Sequence, residues 1–174
     1  YQSQSEKAVA IGFKAGFSNQ GSSGVAIGDI AGCNNQGVNA IAVGLGAGCN
    51  GQSQEAIAIG RIAGRVTQGA DAIAIGLSAG SNDQGTSAIS IGHNAGCNNQ
   101  GNNGIAIGTN CGTDDQGNNT IAIGAGAAIN SQNSLSVAVG FNAGREAQGG
   151  RSVAIGYLAG HTLQGEQSSA IGGH

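Results

Sequence analysis

The most constraining feature of this chain is a sixteen-residue repeat that occupies almost its whole length. The pentapeptide Ala-Ile-Ala-Val-Gly at 40–44 returns as Ala-Ile-Ala-Ile-Gly at 56–60. Repeats begin at residues 8, 24, 40, 56, 72, 88, 104, 120, 136, 152 and 168, so ten are complete and an eleventh starts. No residue is inserted or deleted between them. A fixed period of this kind is typical of proteins that stack one structural unit on the next.

The repeat has the consensus A-I-A-I-G-x-x-A-G-x-N-x-Q-G-x-x, and we number its columns 1–16 from the first alanine. Columns 2 and 4 are Ile or Val in every complete repeat, a two-residue spacing that indicates a β-strand. Glycine in columns 5, 9 and 14 indicates turns and disfavours any long helix. We therefore predict an all-β, parallel β-solenoid of about ten sixteen-residue coils, with corners at the three glycines. Coils stacked at about 4.8 Å would form a rod of roughly 50 Å.

Two segments follow from this division of the chain. Residues 1–7 are polar and lie outside the repeat, and residues 8–174 form a single β-solenoid domain. Because the chain opens at Tyr1 and stops partway through a repeat, we expect a segment of a longer protein or a processed one.

Column 13 is glutamine in every complete repeat. Its members are Gln20, Gln36, Gln52, Gln68, Gln84, Gln100, Gln116, Gln132, Gln148 and Gln164. Stacked amides can each donate to the next side chain and accept from the previous one, and they can also satisfy turn carbonyls. The pattern therefore favours a structural glutamine ladder. The alternative is that glutamine merely tolerates an exposed turn.

The sequence leaves two arrangements of the apolar side chains open. Successive residues of a strand point to opposite sides, so Ile and Val face one way and the alanines of columns 1 and 3 face the other. Either Ile and Val fill the coil behind an alanine wall, or small alanines fill a narrow coil and Ile and Val face outward. The second arrangement would expose an apolar stripe along the rod and force association, most simply of three chains.

Composition excludes several function classes. The chain has six basic and nine acidic residues, which argues against a nucleic-acid-binding surface. No apolar run approaches about 18 residues, so we expect no membrane insertion of this segment. Histidines and aspartates show neither relay nor metal-ligand spacing. We therefore expect no catalytic site, no metal and no cofactor, and hence no enzyme.

The four cysteines offer possible disulfides. Cys33 and Cys49 stand one coil apart in column 10, while Cys97 of column 10 and Cys111 of column 8 lie on neighbouring coils. Stacking at about 4.8 Å falls within the Cα separation that a disulfide requires, roughly 4.4–6.8 Å. Free thiols are the alternative for each pair.

Columns 6 and 10 carry different residue types from one repeat to the next. Both directly follow a glycine turn, so they are expected to form an outer rim. Its candidate contact residues for a receptor or glycan are Phe13, Arg61, Arg65, Phe141, Arg145 and Tyr157. The alternative is that these columns are tolerant surface positions.

The strand motif resembles a known repeat. Ser-Val-Ala-Ile-Gly at 152–156 and Ser-Val-Ala-Val-Gly at 136–140 resemble the head repeats of trimeric autotransporter adhesins. The fuller pattern at 28–44 and 92–108 is also similar to repeats in fibre and tail-fibre-like proteins of large DNA viruses and phages. The resemblance implies a left-handed parallel β-roll and a side-by-side homotrimer. It also implies an extracellular, cell-surface or virion-surface location.

These observations predict a structural fibre or adhesin shaft that spaces and displays attachment surfaces. Its expected partners are further copies of itself and a host-surface receptor or glycan. An ice-binding solenoid is the alternative, although threonines are scattered over six columns instead of forming regular rows. A left-handed helix of the acyltransferase type is disfavoured because its period is hexapeptide.

Overall fold

The computed structural model describes residues 2–173, and within them the chain forms twenty-one three-residue strands and no helix. Each complete repeat up to residue 151 contributes two strands, one to each of two parallel sheets, while the repeat at 152–167 contributes one strand and an isolated bridge at Thr162. The first sheet, which we call the glutamine sheet, contains β1 (Gln2–Gln4), β3 (Ser18–Gln20), β5 (Asn34–Gln36), β7 (Asn50–Gln52), β9 (Val66–Gln68), β11 (Asn82–Gln84), β13 (Asn98–Gln100), β15 (Asp114–Gln116), β17 (Asn130–Gln132) and β19 (Glu146–Gln148).

The second sheet, which we call the isoleucine sheet, carries columns 2–4 of the repeat. It contains β2 (Val9–Ile11), β4 (Val25–Ile27), β6 (Ile41–Val43), β8 (Ile57–Ile59), β10 (Ile73–Ile75), β12 (Ile89–Ile91), β14 (Ile105–Ile107), β16 (Ile121–Ile123), β18 (Val137–Val139), β20 (Val153–Ile155) and β21 (Ser169–Ile171).

All neighbouring strands in both sheets are parallel and offset by one repeat. In the isoleucine sheet Ile73 pairs with Ile57 on one side and Ile89 on the other, and in the glutamine sheet Gln84 pairs with Gln68. Identical columns therefore lie above one another along the axis. The predicted parallel β-solenoid of about ten sixteen-residue coils is confirmed.

The N-terminal boundary of the repeat needs correction. Strand β1 pairs with β3, with Gln4 opposite Gln20, and the Gln4 Nε2 donates to the Ala8 carbonyl at 3.1 Å. Counting back by sixteen places Gln4 in column 13, which the apolar pattern alone does not reveal. The described residues before Ala8 thus belong to the solenoid and are not a separate polar segment. Tyr1 and His174 lie outside the described residues.

The apolar side chains inside the coil are small. Alanines of columns 3 and 8, such as Ala58 and Ala63, are completely buried, and so are column 1 alanines such as Ala56. Ile and Val of columns 2 and 4 face outward, and Ile59 is 39% exposed. Of the two arrangements that the sequence allows, the structure has the narrow alanine-filled coil.

Backbone geometry explains why the turns are rich in asparagine and glycine. Columns 7, 12 and 16 have positive φ in most coils, as at Asn94 (55°), Asn99 (51°) and Asn103 (55°). Asparagine tolerates this region better than most residues other than glycine. Column 5 is more demanding, because a Cβ on Gly76 (φ 131°) would lie 2.5 Å from the Gly92 oxygen of the next coil. Glycine there permits the backbones of successive coils to approach closely.

Candidate functional site, an exposed apolar sheet face

The outer surface of the isoleucine sheet carries a continuous double row of Ile and Val. Column 2 side chains are half-buried or exposed, and those of column 4 are more exposed, at 36% for Ile75 and 41% for Ile155. We call this surface, formed by columns 2 and 4, the apolar face. Its column 4 members are Ile11, Ile27, Val43, Ile59, Ile75, Ile91, Ile107, Ile123, Val139, Ile155 and Ile171.

No charge interrupts the apolar face. Columns 1–5 contain only Gly, Ala, Ser, Thr, Ile and Val from residue 8 to residue 172. At about 4.8 Å per coil, this uncharged strip extends roughly 50 Å along the axis. A long contiguous apolar surface is unusual on a soluble monomer, which makes this face the candidate interaction surface.

The outer surface of the glutamine sheet is polar by contrast. Asn82 donates to Asn98 at 2.9 Å and Asn98 donates to Asp114 at 2.7 Å, each bond linking one coil to the next. Asn99 donates to Asp115 in the same way, at 2.9 Å. Sequence reasoning did not identify these bonds, although the recurrence of Asn and Asp at a sixteen-residue spacing was a usable signal. The two broad faces of the solenoid therefore differ sharply in polarity.

The glutamines of column 13 point into the coil. Nine of them are at most 2% exposed and Gln164 is half-buried, which excludes an exposed turn as the explanation for those nine. The Nε2 atom of every one donates to the column 2 carbonyl of its own repeat, at distances of 2.7–3.2 Å. Gln68, for example, bonds to the Ile57 oxygen at 2.8 Å and to the Ala72 oxygen at 3.2 Å. These amides thus connect the glutamine sheet to the isoleucine sheet.

Direct bonds between glutamines are fewer than a complete ladder would have. Four steps carry them, from Gln36 to Gln52, Gln84 to Gln100, Gln116 to Gln132 and Gln132 to Gln148. The acceptors in these bonds are the Oε1 atoms of Gln52, Gln100, Gln132 and Gln148. The buried Oε1 atoms of the six remaining members of column 13, which include the donors Gln36, Gln84 and Gln116, accept no hydrogen bond. The stack is therefore held mainly by bonds from amides to backbone carbonyls.

All four cysteines are present as thiols, and the two disulfides that the sequence allows stay predictions. Cys111 lies in column 8 and is completely buried, and its Sγ donates to the Ala122 oxygen at 2.9 Å. Burial raises its pKa to about 12. Cys97 is half-buried in column 10, where burial and then the Asp114 carboxylate raise its pKa. Cys111 therefore lies inside the coil, whereas Cys97 lies at its half-buried rim.

The structure does not gather the candidate rim residues into one site. Phe141 and Tyr157 stack at 5.6 Å between ring centroids on neighbouring coils, and both are exposed. Phe13 is exposed near the other end, where the Lys14 ammonium lies 5.4 Å from its ring. The remaining three candidates are Arg61 and Arg65, both exposed, and Arg145, which is half-buried with an unpaired Nε. The rim is thus a series of small separate surfaces.

Other kinds of site find little support within residues 2–173. The described part of the chain has no group of three or more His, Cys, Asp or Glu side chains arranged to hold a metal ion. It also has no helix of the length and hydrophobicity that crossing a membrane requires. A cavity of about 500 Å³ lined by Leu158, Gly160, His161 and Thr162 lies at the C-terminal end of the coil stack.

Comparison with protein-family models, curated proteins and solved structures found no match to this chain. The function of the chain is therefore inferred from its fold and from the chemistry of its surfaces.

Proposed function

We propose that this chain is a structural, non-enzymatic shaft of a fibre or adhesin on a cell or virion surface. Copies associate side by side through the apolar face, as a homotrimer. The observation that carries this proposal is the outward double row of Ile and Val, which continues through the coils without a charged residue. An apolar surface of this kind is stabilised when it is buried against another apolar surface, and a second copy of the same chain has a complementary apolar surface.

The energetics favour association through this face. Complete burial of an Ile or Val side chain contributes about 1.5–3 kcal/mol. Since column 4 residues such as Ile59 and Ile75 remain 36–39% exposed, covering each would contribute roughly 0.5–1 kcal/mol more. Repetition over successive coils makes this gain large enough to offset the association cost of about 4–15 kcal/mol.

The architecture also suits a spacer. Every coil is hydrogen-bonded to its neighbours along two sheets, and the glutamine amides connect those sheets internally. Bending the rod would break many such bonds at once. In this proposal the variable rim residues, such as the stacked Phe141 and Tyr157, are displayed to a host-surface receptor or glycan.

Light scattering on the whole chain tests the proposal. The expected mass in solution is three times that of the 16.7 kDa chain. The double variant Ile75→Lys, Ile91→Lys places charges on adjacent coils of the apolar face and is expected to give monomers. The matched control Thr67→Lys, Asp83→Lys alters adjacent exposed positions of the glutamine sheet and should leave the mass unchanged.

Two results would contradict the proposal. One is a wild-type chain that is monomeric at micromolar concentration, and the other is a face variant that assembles as well as its control. Circular dichroism establishes whether each variant keeps its β-structure.

The ice-binding alternative receives less support. An ice-binding face would lie on an outward-facing surface of a sheet. On that surface of the isoleucine sheet, columns 2 and 4 carry Ile and Val in place of regular threonines. Thermal hysteresis in a dilute solution of the protein distinguishes the two functions.

A further inference from the structure

Two cysteines occupy equivalent positions on successive coils. Cys33 and Cys49 lie in column 10, each one residue before a strand of the glutamine sheet. Asn34 and Asn50, which follow them, are paired in register, and the Asn34 amide donates to the Cys49 carbonyl at 2.7 Å. Neighbours in such a ladder are separated by about 4.8 Å, which lies within the Cα separation of roughly 4.4–6.8 Å that a disulfide spans.

The two thiols interact with each other in the reduced protein. Burial raises the pKa of Cys49, and the charge of Cys33 together with a hydrogen bond to its side chain raises it further. Arg65, the next residue along column 10, opposes this by lowering the pKa of Cys49. Cys33 is half-buried and reachable from solvent, whereas Cys49 is 8% exposed. One accessible thiol therefore lies beside one sheltered thiol.

The other two cysteines lack this arrangement. The column 10 neighbours of Cys97 are Ser81 and Thr113, which carry no sulfur. Cys111 is completely buried with its Sγ bonded to the Ala122 oxygen. They serve as internal controls for any chemistry at the first pair.

We propose that Cys33 and Cys49 form a dithiol site that reacts reversibly with small disulfides of the glutathione type. Cys33 loses its proton to water, and its thiolate attacks one sulfur of the small disulfide, which forms a mixed disulfide and releases the first small thiolate. Cys49 loses its proton to water and attacks the Cys33 sulfur, which releases the second small thiolate. The small disulfide is reduced to two thiols, and the protein is oxidised to a disulfide between two coils.

The product would be a covalent link between neighbouring coils. It closes a loop of about one repeat, and a closed loop lowers the entropy of the unfolded chain. Unwinding of the coils that carry Cys33 and Cys49 then requires reduction first. This inference does not depend on the proposed fibre function, because it concerns two residues within one chain.

The test uses the reduced full-length chain and glutathione disulfide at neutral pH. Peptide mapping by mass spectrometry without reduction is expected to find the peptides of Cys33 and Cys49 joined, with the loss of two hydrogen atoms. Excess dithiothreitol should reverse the change. The variant Cys49→Ser should stop at a glutathione adduct on Cys33, whereas Cys97→Ser should still form the link.

Three results would overturn the inference. They are a wild-type chain that stops at a glutathione adduct on Cys33, a dimer joined through Cys33, and a link that joins Cys97 or Cys111 as readily. The wild-type measurement decides the matter even if a serine variant fails to fold.

Discussion

Replacing Gly76 by alanine is expected to disturb the stacking of two coils and to lower stability. The same change at Gly46 should alter stability very little. Both glycines have positive φ, 131° at Gly76 and 65° at Gly46. A Cβ on Gly76 would lie 2.5 Å from the Gly92 backbone oxygen, whereas a Cβ on Gly46 would meet side-chain atoms of Ile62 and Ile30 at 3.4 Å or more. The comparison therefore sets column 5, where a Cβ would meet the next coil at a φ reserved for glycine, against column 7, where φ is positive but the contacts are ordinary.

The expected loss of stability on Gly76→Ala follows from the backbone conformation and hydrogen bonds at this position. Backbone strain at a conformation reserved for glycine costs about 1–3 kcal/mol. Moving the coils apart would also weaken the bonds from the Gly76 amide to the Ile59 oxygen and from the Gly92 amide to the Ile75 oxygen, both 2.8 Å. Each bond contributes about 0.5–1.5 kcal/mol, so Gly76→Ala should lower the free energy of unfolding by about 2–6 kcal/mol.

Gly46→Ala should cost under about 1 kcal/mol. Its strain of about 1–2 kcal/mol is partly offset by the reduced entropy of the unfolded chain. Ile30 and Ile62 already occupy the same column with φ of 50° and 53°.

Thermal unfolding followed by circular dichroism measures the difference between the two variants. For a chain of this size each kcal/mol shifts the melting temperature by about 2–4 °C, so Gly76→Ala should melt about 4–24 °C below wild type. Melting temperatures for the two variants within about 2 °C of each other would refute the reasoning. The coils would then not need glycine in column 5 for their close approach.

Three further predictions concern individual side chains. Gln68→Leu removes two hydrogen bonds inside the coil and should lower the free energy of unfolding by about 1–3 kcal/mol. The exposed control Gln54→Leu should not lower it, and equal effects of the two variants would contradict a structural role for the Gln68 amide. Because the pKa of Cys111 is raised from 9.0 to about 12, the unfolded chain loses this proton first as pH rises. Stability should therefore be independent of this thiol below about pH 9 and fall between about pH 9 and 12, and Cys111→Ala should show a shallower loss in urea unfolding over that range. A double-mutant cycle of Phe141→Ser and Tyr157→Ser should give a coupling of about 0.5–1.5 kcal/mol, and a coupling near zero would show that the stacked rings contribute nothing.

The sequence alone predicts the strand that each coil contributes to the isoleucine sheet. Ile73 and Ile75 stand two residues apart and recur every sixteen residues, so both the strand and its parallel register follow from the pattern. The second strand was not predicted. Segments such as Asn98–Gln100 have low intrinsic β propensity, and they become strands because the stacked coils above and below supply their hydrogen-bond partners.

The direction in which the apolar side chains face also required the structure. Ala58 and Ile59 are both apolar, and nothing in their alternation says which of them lies inside. The choice depends on the width of the coil, which is set by the reach of Gln68 from one sheet to the carbonyls of the other. For the same reason the repeat places Cys97 and Cys111 on neighbouring coils without revealing that one is at the rim and the other inside.

The in-register stacking of identical coils makes the length of this protein adjustable in discrete steps. Adding or deleting one sixteen-residue unit would lengthen or shorten the rod by about 4.8 Å and leave its cross-section unchanged. A gain or loss of any other size would displace every column that follows it. Recombination between near-identical repeats could therefore tune the protein as a molecular ruler, with each change in reach equal to a whole coil.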